Sequence, residues 1–314
     1  MRKKMKIIFM GTPEFAVPAL NALVGSHHDV LAVVTAPDKP KGRGQNLSIS
    51  DVKKRALELD LPIYQPEKLK DPVFLKTLKA YSPDILVVVA FRILPPEVYE
   101  LPKYGAVNAH ASLLPKYRGA APIHWAVYHG EEETGVTVFQ IDKKVDTGRI
   151  ILQERIPILE EDTTGNLYYV LQQLSADALL KALDMLENDR VDYIKQDDNI
   201  ATPAPKVHPD TGKLDFNLTC EELSRSIRAF SLWPGSFFHL DGQRIKVSKA
   251  SFELHPDTNP GNIEILSKKQ FAIHCKDGYF LPQELQSPGR RKMDVVDWMN
   301  GNDLRSGQKV EDSP

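Results

Sequence analysis

Read from the N-terminus, apolar and polar positions alternate between strand-like and helix-like patterns. Lys6–Met10 is a short buried-strand run, and Gly11-Thr12-Pro13 turns it into a helix, with Thr12 as N-cap and Pro13 at the first helical position. Val30–Thr35 repeats the strand signal. Ala36–Ser50, with prolines and glycines crowded into Pro37–Gly44, reads as a long mobile loop. Helical spacing follows over 51–59 and 72–81. Residues 84–89 are continuous and β-branched, as a central parallel strand covered on both faces requires. Further strands are expected over 105–110, 136–141 and 150–156. Leu167, Leu171, Leu174, Ala178 and Leu179 then mark one amphipathic helix from Thr163 to Asn188. Such alternation predicts an α/β fold on an open, mostly parallel sheet.

The pattern changes beyond Asp189. Prolines, the pair Asp197-Asp198 and a lack of periodicity suggest a linker over 189–207. A helix is expected over 220–229. Short strands are expected over 235–240, 243–251, 261–267, 270–275 and 279–285, punctuated by Asp241-Gly242 and Asp277-Gly278 turns. That arrangement predicts a small β-barrel, with 301–314 fraying at the end. The expected domains are 1–188 and 208–314.

Composition narrows the function classes. A chain of 314 residues has room for two cored domains. Its net charge of −2 excludes an overall basic character and leaves room for a local basic patch. Cys220 and Cys275 form no Cys-x-x-Cys pattern, which argues against a disulfide framework or a thiolate zinc site. The early apolar run stops at Gly11, short of the roughly 7–15 residues of a signal peptide. The run 85–91 falls short of the ~20 residues that span a bilayer. A soluble, cytoplasmic protein is expected.

Ligands of open α/β sheets bind outside the carboxyl ends of the strands, at a switch in strand order. Asn108 and His110 stand at such an end and, two residues apart, share a face. An amide beside an imidazole suits acyl chemistry: one donates to a developing oxyanion, the other moves a proton. The plainer alternative is two strand-end polar groups bonded to nearby backbone. The two-proline loop from Ser112 to Ile123 leaves the same strand end, and Val145-Asp146-Thr147-Gly148 sets a carboxylate in a downstream turn. His27-His28, His124 and His129 show no metal-ligand spacing, so no metal is expected. Gly-Thr-Pro-Glu-Phe after the first strand is not Gly-x-Gly-x-x-Gly, which argues against a dinucleotide site.

The block Asn108-x-His110-x-Ser112-Leu113-Leu114-Pro115, together with Asp146, resembles the folate-dependent formyltransferases, and the three polar residues look like that family's catalytic trio. Gly11–Phe15, Gly42-Arg43-Gly44, Arg118–Pro122 and Ala229-Phe230-x-x-Trp233-Pro234 extend the resemblance over most of the chain. It implies a Rossmann-like formyltransferase domain followed by an OB-like barrel. It implies also that 10-formyltetrahydrofolate gives its formyl group to the amino group of methionine on initiator tRNA, with Ser112, Leu113, Leu114 and Pro115 lining the folate site. Lys39, Lys41 and Arg43 become tRNA contacts on this reading, Arg43 near the acceptor end. Lys268, Lys269, Arg290 and Arg291 are candidate phosphate contacts of the second domain, although each pair taken singly reads as a solvated turn. Trp233-Pro234 with Phe237-Phe238 reads as barrel core rather than a base-stacking platform. The family usually carries a Gly after the aromatic before Ile-Leu-Pro. Here Phe91-Arg92 is shorter, leaving Arg92 to face solvent or to reach the folate's glutamyl tail. An amino-sugar formyltransferase and a non-catalytic RNA-binding module are the competing readings.

Overall fold

The computed structural model describes residues 4–41 and 46–311, which form two compact units. The first comprises Met1–Pro122, Glu133–Pro157 and Tyr168–Ala204; the second comprises Ile123–Glu132, Ile158–Leu167 and Pro205–Pro314.

The first unit is built on a seven-stranded sheet. From one edge to the other its strands are Ile150–Pro157, Glu133–Gln140, Ala106–His110, Ile85–Val89, Lys6–Gly11, Asp29–Val34 and Ile63–Tyr64. All neighbours pair in parallel except those flanking Glu133–Gln140, which runs antiparallel to both. The mostly parallel α/β sheet is thus as the alternating pattern predicts. Ile85–Val89 is buried throughout, and burying a side chain such as Val or Ile contributes about 1.5–3 kcal/mol. Chain order reverses between Lys6–Gly11 and Ile85–Val89, so a switch-point crevice opens at Gly11 and Val89. A Cβ at Gly11 would stand 2.8 Å from the Ala16 Cβ and 3.1 Å from the Val89 carbonyl oxygen.

Local chemistry explains the element ends. Ser50 Oγ accepts from Lys53 N–H at the start of helix Asp51–Glu58, and Asp71 caps Pro72–Tyr81 through Val73 N–H and Phe74 N–H. Thr12 does not cap. Instead Pro13 precedes a single 3₁₀ turn, Glu14–Ala16, and the helix Val17–Val24 starts only afterwards, with Pro18 in its first turn. Within the stretch expected as a loop, Lys39–Lys41 and Asn46–Ser48 pair as a short antiparallel ribbon. Residues 189–204 of the expected linker belong to the first unit: Ile194 bridges Ile150, and Pro203–Ala204 pairs with Arg118–Gly119.

In the second unit the helix Cys220–Ala229 begins on a Thr219/Glu222 capping box and buries Leu223, Ser226 and Ala229. The antiparallel sheet runs Ser236–Leu240, Gln243–Leu254, Gly278–Gln286, Gln270–His274 and Ile263–Ser267, with Met293–Asp294 beside Gly278–Gln286. Its core includes Phe216, Phe238, Phe271, Phe280 and Trp298. Residues 301–311 do not fray, and 312–314 of the expected frayed end lie outside the described residues. Glu311 bridges His239 on one edge strand, and Lys309 bridges Asn262 beside the other, so this segment satisfies both free edges. Phe237 and Phe238 are core, whereas Trp233 is 47% exposed.

Candidate active site

Asn108 and His110 lie at the carboxyl end of Ala106–His110, on the interior strand between Ile85–Val89 and Glu133–Gln140. His110 is buried, and its Nε2 stands 2.8 Å from the Tyr117 carbonyl oxygen. A carbonyl only accepts, so Nε2 carries the proton and donates. That bond fixes the tautomer. The Nδ1 face is left toward Asp146, whose Oδ2 lies 3.8 Å away, beyond direct hydrogen-bond reach. Asn108 Oδ1 is buried without a partner among the described residues. A side-chain amide turned over exchanges Oδ1 for Nδ2, so the same position can present a donor.

Asp146 is held by its own chemistry. It adopts φ 54°, a left-handed conformation that Asp tolerates better than most residues. Its Oδ2 accepts the Gly119 N–H at 2.9 Å. Gln196 secures the turn by donating from Nε2 to the carbonyls of Asp146 at 2.9 Å and Gly148 at 2.8 Å. Its Oε1 accepts from Arg118 Nε at 3.1 Å and Nη2 at 2.8 Å. Both amide hydrogens and the oxygen are thereby used. Gly148 is required here, since an added Cβ would overlap the Gln140 carbonyl oxygen at 1.6 Å.

The loop after His110 is fixed from below. Thr137, fully buried, donates its hydroxyl to the Ser112 carbonyl at 2.7 Å and accepts from Leu114 N–H at 3.0 Å. Gln153 Nε2 adds bonds to the Leu114 carbonyl and the Thr137 hydroxyl. Ser112 and Leu114 are buried, the Ser112 hydroxyl donating to the Lys116 carbonyl at 2.7 Å; Leu113 and Pro115 are half-buried. Of this run, Leu113 and Pro115 therefore keep surface for a ligand. Arg92 is half-buried. Its Nη1 and Nη2 donate to the Glu67 and Pro66 carbonyls at 2.9 and 2.8 Å, and burial draws its pKa below the usual arginine value.

The arrangement can set a planar carbonyl beside a half-buried amide and a tautomer-fixed imidazole, with a carboxylate 3.8 Å from the ring. Comparisons with known proteins agree. Residues 4–183 match the model of the formyl transferase family, and residues 206–303 match the formyl transferase C-terminal domain. A methionyl-tRNA formyltransferase of Lachnospira eligens is 40% identical, over 96% of this chain and 98% of its own. One of Caldanaerobacter subterraneus is 41% identical, over 96% and 99%. The chain belongs to the formyl transferase family. An N-formyltransferase structure from Helicobacter canadensis, in complex with folinic acid and dTDP-3-aminofucose, shares the fold at TM-score 0.66 and 22% identity, over 90% of this chain and 99% of that one.

Other expected formyl transferase contacts scatter. Lys39 is exposed on the short ribbon, and Lys41 lies on its strand. Arg43 lies outside the described residues. Lys268 and Lys269 occupy the exposed turn between Ile263–Ser267 and Gln270–His274, and Arg290 and Arg291 are exposed after Gly278–Gln286. Thr137, Gln153 and Gln196 escaped the sequence reading. Their polar side chains carry no spacing signal, and Gln196 sits 50 residues from the turn it secures. Two clusters with metal-ligand chemistry also come together among the described residues: His27, His28 and Glu187, and Cys220, Cys275 and Asp277.

Proposed function

We propose that this protein transfers the formyl group of 10-formyltetrahydrofolate to the α-amino group of methionine on initiator tRNA, in the cytoplasm. The observation that carries the chemistry is the buried, tautomer-fixed His110 beside Asn108, whose Oδ1 has no partner among the described residues. Identity near 40% to methionyl-tRNA formyltransferases over nearly full length supports the acceptor. The half-buried Asn108 amide, its Oδ1 without a partner among the described residues, fits a formyl oxygen, and the half-buried Leu113 and Pro115 fit the apolar body of a folate.

In the reaction the amine nitrogen bonds to the formyl carbon while the bond from that carbon to folate N10 breaks. The amine loses one proton and N10 gains one. Asn108 Nδ2 and His110, protonated at Nδ1, donate to the oxyanion of the tetrahedral intermediate. The Tyr117 carbonyl holds the ring, and Asp146 faces the imidazolium charge across 3.8 Å. Asp146 accepts the amine proton through a water, His110 gives its Nδ1 proton to N10, and the proton on Asp146 then passes to His110 Nδ1, restoring both groups. Lys39, Lys41 and Arg43 contact the tRNA acceptor end, and Lys268, Lys269, Arg290 and Arg291 contact its phosphates. No metal takes part in the transfer.

The test is formyl transfer from labelled 10-formyltetrahydrofolate to charged initiator tRNA, charged elongator tRNA and an amino-sugar nucleotide. Label is expected on the initiator tRNA. Label on the sugar alone overturns the proposed acceptor.

A further inference from the structure

At the opposite end of the parallel sheet, where its strands begin, lies a second polar cluster with no part in formyl transfer. His27 and His28 precede the strand Asp29–Val34, and Glu187 is the last residue of the helix Thr164–Glu187. His27 Nε2 lies 2.8 Å from Glu187 Oε2, and the two imidazole rings stand 4.0 Å apart. One nitrogen from each ring and one carboxylate oxygen lie within 4.8 Å of one another.

Glu187 is the group that demands an explanation. Its side chain is 1% exposed, and Oε1 is buried with no partner among the described residues. It also ends a helix of 24 residues, at the pole where backbone carbonyls already gather negative charge. A half-satisfied carboxylate in that position needs positive charge beyond a neutral imidazole. Among the described residues, Lys4 pairs with Asp29 at 2.6 Å and Arg190 with Asp184 at 2.7 Å, not with Glu187.

We propose that His27, His28 and Glu187 bind a divalent transition-metal cation of the Zn²⁺ type. Two imidazole nitrogens and a carboxylate oxygen are a common donor set for such ions, with bonds of about 2.0–2.2 Å. The free Glu187 oxygen lets the carboxylate turn onto the ion. Binding displaces the proton shared by His27 and Glu187. Solvent reaches the site along His27, whose side chain is 34% exposed. The ion would tie the end of the helix to the start of a sheet strand, a structural role.

The experiment uses the full chain, free of any affinity tag and stripped with chelator, titrated with Zn²⁺ alone by calorimetry. One saturable site at micromolar affinity or tighter is expected, with a melting temperature raised by several degrees in excess metal. Glu187→Gln and His27→Asn should each weaken binding at least tenfold, with circular dichroism confirming that they fold. Cys220→Ala should bind like the parent. Absence of saturable binding overturns the proposal, as does affinity that survives Glu187→Gln, or affinity lost in Cys220→Ala, which would move the ion to the thiol cluster.

Discussion

The first unit carries a histidine–carboxylate pair at each end of its sheet, and the two are built differently. Where the strands begin, His27 and Glu187 touch at 2.8 Å. Where the central parallel strands end, His110 and Asp146 are held 3.8 Å apart, each anchored to backbone elsewhere. Direct contact joins one Glu187 oxygen to His27 and ties two elements together, leaving the second oxygen for the ion proposed above. A gap bounded by fixed groups leaves them free for atoms that arrive later. Reactivity thus follows from which partners are withheld rather than from residue type, which is almost the same in both pairs.

The comparison is tested most severely by catalysis. Asn108→Ala, His110→Ala and Asp146→Ala should each lower kcat by about a hundredfold or more, because one lost oxyanion donor costs roughly 3–4 kcal/mol. Melting temperatures should move little. The double change at His110 and Asp146 should cost scarcely more than the worse single one, since the two act on one charge. Near-normal turnover in folded Asn108→Ala would remove the distinction between the two ends.

Glu187→Ala should show the reverse. Loss of its bond to His27 and of its buried methylenes should reduce stability by about 1–3 kcal/mol in chemical denaturation. Steady-state kcat should stay within about twofold, and a larger drop would mean that the two ends are coupled. Gln196→Ala comes next in size. The turn at Asp146 would lose both amide bonds, and Arg118 would lose its acceptor. A kcat decrease of about tenfold, roughly 1.4 kcal/mol, is expected, with folate KM unchanged. An altered folate KM with normal kcat would show that Gln196 shapes the binding site instead of positioning the carboxylate.

These differences were only partly legible in the sequence. Strand runs such as Ile85–Val89 and the alternation around them specify the mostly parallel sheet, because burial on both faces leaves few alternatives. The proposed trio was legible through Asn108 and His110 sharing a strand face, and through the family resemblance. The supports were not. Gln196 comes from a stretch that reads as a linker, and only its hydrogen-bond geometry identifies it. Glu187 lies 160 residues from His27, so no local spacing could join them. The barrel's closing segment was missed for a similar reason: a short polar tail pairs by backbone, and side-chain periodicity does not record that. Trp233 misled the core assignment because its apolar ring suggests burial that the fold does not provide.

The smallest expected effect concerns pH. His28 belongs to the contact end, and its pKa is held below the usual histidine value, first by burial and then by the neighbouring His27; Glu187, Asp184 and Asp29 oppose the shift without reversing it. The folded state therefore favours the neutral ring, while the unfolded chain takes up a proton near pH 6.5. Stability from this group is fully present above that value and is lost as pH falls through it toward the folded pKa. His28→Gln removes the titration, so its stability should decline less steeply than the parent's between about pH 7 and 5. His124 and His129, in the second unit, are lowered for the same first cause and persist in the variant, so the slope should flatten without vanishing. Urea denaturation at half-unit pH intervals, parent against variant, measures the difference. An unchanged slope would mean that His28 is free to charge in the folded state, and the contact end would then not be the closed structural pair that sets it apart from His110 and Asp146.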